Sequence, residues 1–211
     1  MTSADKLDLT VKGRGGHGAN PHLAIDPVVA AAQIILALQT LVSRETPPLQ
    51  TAVLSITTLE AGTAFNIIPD AVRMTGTFRC YEARLREALL KSLQRTADGV
   101  AAALRCSVEA KTEFLTPAVV NDSAMTSLAR EIAVGLVGEE HVKEGEPLTG
   151  SDDVAYFWEK VPGCYAWIGS GKTDGSAVAA HHNARFDIDE SSLEIGTEFL
   201  VQATRRALAG N

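Results

Sequence analysis

Apolar and polar residues alternate with period two over residues 6–12. Leu7, Leu9 and Val11 are set against Asp8, Thr10 and Lys12, a pattern that predicts a strand. The rhythm then changes. Val28, Ala31, Ile35, Leu38 and Val42 recur at helical spacing, behind an Asp26 suited to capping and a Pro27 suited to the first turn. Pro47 and Pro48 force an extended break. Residues 51–59 and 71–79 are rich in alternating and β-branched positions and predict two strands, joined by a loop over 60–70 that holds Gly62 and Pro69. Leu85, Leu89, Leu93, Ala97, Val100 and Leu104 mark a second helix, and residues 106–114 a further strand through Val108 and Ala110.

This order is β-α-β-β-α-β, the split ferredoxin-like pattern, and it places an α+β domain at residues 6–117. A second region, 118–211, has a different rhythm. A helix is expected over 123–136, a polar acidic stretch over 138–151, a short helix after Ser151 and a short buried strand over 163–168. The last helix is expected to turn Leu193, Ile195, Phe199, Leu200 and Ala203 inward. One strand and three helices make a poor stand-alone sheet. The region reads as the C-terminal part of an α/β domain whose first half lies elsewhere, so its unpaired apolar face is expected to be exposed and to drive association.

Composition narrows the function classes. With 45% hydrophobic residues the chain can bury a core. A net charge of −7 argues against nucleic acid as a partner, because phosphate binding needs a basic face. Arg14-Gly15-Gly16 looks like an RGG fragment, but it occurs once and outside a basic context. Cys80, Cys106 and Cys164 are odd in number and widely spaced, which favours reduced packing residues in a cytoplasmic protein. No uninterrupted apolar run is long enough to suggest a membrane span, and the first six residues do not resemble a signal peptide.

Four segments carry residues with chemistry. The run Arg14-Gly15-Gly16-His17-Gly18-Ala19-Asn20-Pro21-His22 puts two histidines in a glycine-rich bend. They either close a turn or offer a donor to a ligand that approaches the backbone closely. Gly62-Thr63-Ala64-Phe65-Asn66-Ile67-Ile68-Pro69 and Gly76-Thr77-Phe78-Arg79 supply an amide and a guanidinium. Those are a turn asparagine and a solvated arginine, or a clamp for a carboxylate. Gly150-Ser151-Asp152-Asp153 reads as a helix N-cap with acids at the positive end of the dipole, or as backbone lining a substrate. His181-His182-Asn183-Ala184-Arg185-Phe186-Asp187-Ile188-Asp189-Glu190 either shapes a turn before the last helix or holds a metal ligand.

Together these segments resemble the amidohydrolases and metallopeptidases of the aminoacylase, hippurate hydrolase and indole-acetyl-amino-acid hydrolase family. The resemblance covers nearly all of the chain but only about the second half of such an enzyme: the lid, or dimerisation, domain and the C-terminal portion of the catalytic domain. It implies hydrolysis of the amide of an N-acyl amino acid or peptide by a homodimer with two divalent metal ions (Zn, Mn, Co or Ni). His17 matches the histidine that reaches across the dimer interface to the oxyanion, and His22 a second histidine of the subgroup. Asn66 and Arg79 match the carboxylate clamp, Gly150 and Ser151 the substrate lining, and His182 a metal ligand, lying four residues before Phe186. Asp152 stands where the family has Glu, Val154 where it has Phe, and Ala184 where it more often has Pro. The family's His-x-Asp, bridging acid, Glu-Glu pair and further histidine have no counterpart here. The chain by itself is therefore expected to be inactive. The alternative is a catalytically incompetent fragment that dimerises and grips substrate without its own metal pair.

Overall fold

The computed structural model describes residues 1–172, 179, 181 and 183–209. They form two compact units, one of residues 1–119 with 148–156, the other of 120–147 with 157–211.

The first unit is built on a four-stranded antiparallel sheet. In chain order the elements are β1 (Ser3–Lys12), β2 (Gly16–His17), α1 (Pro27–Thr40), β3 (Ala52–Ala61), β4 (Ile67–Ile68), β5 (Ala71–Cys80), α2 (Ala83–Ala103) and β6 (Ser107–Thr116). The main sheet runs β3-β5-β1-β6, the strand order of a split ferredoxin-like fold. Its inner face supplies Leu7, Leu9, Val11, Leu54, Val72, Met74 and Phe78, all buried under α1 and α2. Its outer face carries charges, among them Asp8 and Arg73, which hydrogen-bond through both carboxylate oxygens at 3.1 and 2.6 Å.

Helix α1 starts as its sequence predicts, with the Asp26 carboxylate accepting from the Val28 and Val29 backbone N–H groups at 2.8 and 3.4 Å. Its buried stripe is Pro27, Ala30, Ala31, Ile34 and Leu38, continued by Leu41 just past its end, with Val28 exposed and Ile35 and the following Val42 only half-buried. The expected stripe was out of phase by about one residue. Apolar side chains surround this helix, so periodicity alone left its rotation open. The same helical stretch, Pro27–Glu45, is long and apolar enough by length and composition to cross a membrane, which the sequence reading did not anticipate. Here its apolar stripe lies in the core of the unit.

The second unit contains α3 (Ser123–Val137) and α5 (Ser191–Leu208), which pack on each other around the buried Ile132. Between the units' segments lies one short helical turn, α4 (Ala155–Trp158). Two expectations fail in this part of the chain. Residues 163–168 form no strand. Instead the Asn121 amide brackets Tyr165, accepting from its N–H at 3.0 Å and donating to its carbonyl at 3.1 Å. One asparagine side chain thus does what a partner strand would do. In α5, Phe199 and Ala203 are half-buried as expected, but Leu193, Ile195 and Leu200 are exposed. Among the less exposed positions of the helix are Ser192, Gly196, Phe199 and Ala203, and Gly196 lies against the Ile168 side chain.

Candidate functional site

The glycine-rich bend is tied into a small structure of its own. Arg14 and Ile25 exchange backbone hydrogen bonds at 2.9 and 2.8 Å and close the loop between them. Inside it, β2 pairs antiparallel with β4, Gly16 opposite Ile68 and His17 opposite Ile67. The Gly18 N–H then donates to the Asn66 carbonyl at 2.8 Å. The loop expected over 60–70 is thus partly a strand, and it joins the His17 segment to the Asn66 segment.

Asp70 anchors the ribbon. Its carboxylate accepts from the Gly15 N–H and its backbone carbonyl from the Gly13 N–H, both at 2.8 Å. Close approach explains the glycines. A Cβ at Gly15 would lie 2.7 Å from the Ile68 carbonyl oxygen, and one at Gly13 would lie 2.2 Å from that of Ile25.

His17 is exposed, and its ring is oriented by its own turn. The Ala19 N–H donates to His17 Nδ1 at 3.1 Å, and the Asn20 N–H donates to the His17 carbonyl at 2.8 Å. With Nδ1 acting as acceptor, the neutral imidazole carries its proton on Nε2, a donor turned away from the loop. Ile67, directly opposite His17 in the ladder, leaves the ribbon on the same side and is 58% exposed, so an apolar shoulder lies beside that donor. His22 sits exposed in a short 3-10 turn, Pro21–Leu23, and makes no hydrogen bond with the described residues.

Arg79 lies at the other end of β5. From Ala71 to Arg79 the strand runs about 26 Å, at roughly 3.3 Å per residue. One chain therefore does not bring Asn66 and Arg79 together. What does meet Arg79 is Ser151. The guanidinium donates from Nη1 to Ser151 Oγ at 2.6 Å and from Nε to Thr77 Oγ1 at 2.9 Å. The segment holding Ser151 is stitched to the start of β1. The Thr2 N–H donates to the Gly150 carbonyl at 2.9 Å, and the Thr2 hydroxyl donates to the Thr149 carbonyl at 2.8 Å. Ser151 is not the cap of the turn that follows. That role falls to Asp152, whose carboxylate accepts from the Val154 N–H at 2.9 Å.

His182 lies outside the described residues. In the neighbouring stretch of sequence, the Asn183 side chain accepts from the Arg185 N–H at 2.9 Å, the ring of His181 lies 4.8 Å from that of Phe186, and Asp187 pairs with Lys172. Among the described residues no group of three His, Cys, Asp or Glu side chains is placed to hold a metal ion. The donor set of a dinuclear centre is thus not supplied by these residues.

Two positions escaped the sequence reading. Asp70 follows the Ile67-Ile68-Pro69 run directly, and Thr77 stands two residues before Arg79 on the same face of its strand. Period two was the available signal for Thr77; nothing local marked Asp70 as the anchor of a loop more than fifty residues earlier.

A family model described as the peptidase dimerisation domain of M20 proteins matches residues 3–104. An N-acetylcysteine deacetylase of Bacillus subtilis is 37% identical over 202 residues, covering 96% of this chain and 51% of the relative. An IAA-amino acid hydrolase, ILR1-like 5, of Arabidopsis thaliana is 33% identical, covering 99% and 49%. Among solved structures, the Bacillus subtilis YxeP protein, described as a dinuclear metal binding peptidase from the M20 family, superposes with a TM-score of 0.75. It is 32% identical, with 96% of this chain and 49% of that one covered. The chain spans about half the length of the relatives it matches. Residues 3–104 match the M20 peptidase dimerisation domain, and the chain as a whole is similar to M20-family peptidases and amidohydrolases.

Proposed function

We propose that this chain is the lid and substrate-gripping part of an amidohydrolase that cleaves the amide of N-acyl amino acids, hippurate-type compounds included, and that it works as a homodimer. The observation that carries the reading is the His17 ring, exposed and held so that Nε2–H is the free donor. A fixed donor of that kind suits the oxyanion that develops when an amide carbonyl is attacked, a role whose loss costs about 10²- to 10³-fold in rate in other hydrolases. Arg79, with Ser151 beside it, suits the free carboxylate of an amino acid. Asn66 stands with His17 and not with Arg79, so a site using all of them draws on two copies of the chain. The names of the relatives support the substrate class, since N-acetylcysteine and IAA-amino acids are both acids joined to an amino acid. A cytoplasmic setting completes the reading, supported by three free thiols.

Amide hydrolysis belongs to the protein that also supplies the metal pair. The described residues support gripping and donation, and the chain by itself is expected to bind without turnover. Calorimetric titration of the purified chain with hippurate tests this. Saturable binding is expected, weakened roughly tenfold in Arg79→Lys, where a planar fork becomes a point charge. Sedimentation is expected to give a dimer. A monomer that ignores hippurate overturns the reading, and turnover of hippurate by the chain with Zn, Mn, Co or Ni overturns its inactivity.

A further inference from the structure

Arg79 is half-buried, and none of the described carboxylates forms an ion pair with it. Its two side-chain partners are hydroxyls, Thr77 Oγ1 on Nε at 2.9 Å and Ser151 Oγ on Nη1 at 2.6 Å. A neutral acceptor fixes the plane of a guanidinium without cancelling its charge, whereas a carboxylate in the same place would do both. Three of the five N–H donors remain for an anion.

Both hydroxyls stand on rigid backbone. Thr77 lies in β5 between two paired neighbours, Lys6 on β1 and Ser55 on β3. Ser151 follows Gly150, whose carbonyl accepts from the Thr2 backbone, and Thr2 is fully buried. Further back, the Tyr81 hydroxyl donates to the Leu148 carbonyl at 2.8 Å and holds the start of the same segment. The lock thus joins two stretches more than seventy residues apart in sequence.

We infer that Thr77 and Ser151 orient the Arg79 guanidinium to receive a carboxylate-bearing ligand, Thr77 as a positioning residue and Ser151 also as a direct contact. This rests on the reading of Arg79 as a carboxylate grip and deepens it. Ser151 accepts from Arg79, so its own O–H stays available to the same carboxylate. Thr77 touches no ligand and acts only through Arg79.

The test follows the Arg79 Nε–Hε signal of the ¹⁵N-labelled chain by NMR while hippurate is added, with the methyl amide of hippurate as the uncharged comparison. The parent signal is expected to exchange slowly with water and to move with hippurate alone. Thr77→Val keeps a β-branched strand residue and removes the acceptor. It is expected to speed the exchange of Hε and to weaken hippurate about fivefold, the loss of one modest hydrogen bond. Thr77→Ser is expected to restore both, which a merely structural role for the methyl group would not give. Ser151→Ala is expected to weaken hippurate at least as much. If Arg79→Lys weakens hippurate while Thr77→Val and Ser151→Ala leave both readouts at parent values, the positioning role falls and the Arg79 grip stands. If Arg79→Lys leaves hippurate unchanged, or the parent signal ignores hippurate, the grip falls and the positioning role with it.

Discussion

The Gly18 N–H donates to the Asn66 carbonyl at 2.8 Å, and this bond joins two candidate segments that lie almost fifty residues apart. It continues the β2–β4 ladder by one step, so His17 is fixed between a turn on one side and a partner strand on the other. Gly15 is what lets the two strands close. Gly15→Ala puts a Cβ 2.7 Å from the Ile68 oxygen and 3.1 Å from the Asp70 carboxylate that receives the Gly15 N–H. The ribbon should open at a cost of about 1–3 kcal/mol, the usual range for overpacking. Hydrogen exchange is expected to show the Gly18 amide losing protection while amides of β1 and β5 keep theirs. Unchanged protection at Gly18 would mean that the ladder does not depend on this approach.

Asp5 is fully buried on the inner face of β1, an unusual place for a carboxylate. Arg86 of α2 makes it tolerable, donating to both oxygens (Nε to Oδ2 at 2.7 Å) while its guanidinium stacks 4.2 Å from the Phe114 ring centre. Removing one partner strands a charge. Arg86→Met is expected to cost about 3–5 kcal/mol in urea unfolding. Replacing both, Asp5→Leu with Arg86→Met, should recover most of that loss, because an apolar pair of similar volume needs no compensation. A double variant as unstable as the single one would show that Arg86 contributes through Phe114 and its own packing rather than through Asp5.

The ferredoxin-like half of the chain was legible because its first strand alternates cleanly and its first helix opens on a conventional cap, Asp26 before Pro27. Its pairings were not. That Gly16 faces Ile68, or that Asp70 holds Gly15, depends on a register that no local pattern encodes. The candidate residues were found singly. Their grouping, His17 with Asn66 and Arg79 with Ser151, follows from the length of β5, which separates the two pairs. The region after residue 120 was read less well. Residues 163–168 look like a buried strand because Cys164, Tyr165, Trp167 and Ile168 are apolar or aromatic, yet a strand needs a ladder partner and here Asn121 supplies the only side-chain bracket described. Leu193 and Leu200 of α5 failed for a related reason: amphipathicity marks a face that wants covering, not what covers it.

The three cysteines should differ in reactivity. Cys80 is fully enclosed, and burial pushes its thiol up from the usual range; burial does the same, less completely, for Cys106. Cys164 is only half-buried, its sulfur near the Asn121 amide at 3.5 Å. Since the thiolate is the reacting form, iodoacetamide at pH 8 is expected to label Cys164 first. Cys80 should be labelled only as fast as the sheet opens. Mass spectrometry of timed digests reads the order, and early labelling of Cys80 would contradict its placement in the core.

Acid should reveal the outer face of the sheet. The Arg73 guanidinium, hydrogen-bonded to Asp8 and opposite to it in charge, holds the Asp8 carboxyl below its ordinary value of 3.8. A group with a depressed folded value favours folding above its unfolded value, and that contribution disappears as pH falls through the folded value. Arg73→Gln should therefore be less stable than the parent between pH 5 and 7. The difference should shrink once the pH drops below 3.8 and vanish at lower pH, where Asp8 is protonated in both. The pair is partly open to solvent, so the gap at neutral pH should be modest and should narrow further in high salt. Urea unfolding of both chains across this pH range measures it. A gap that stays constant into acid would assign the effect of Arg73 to its packing along the strand and not to its charge.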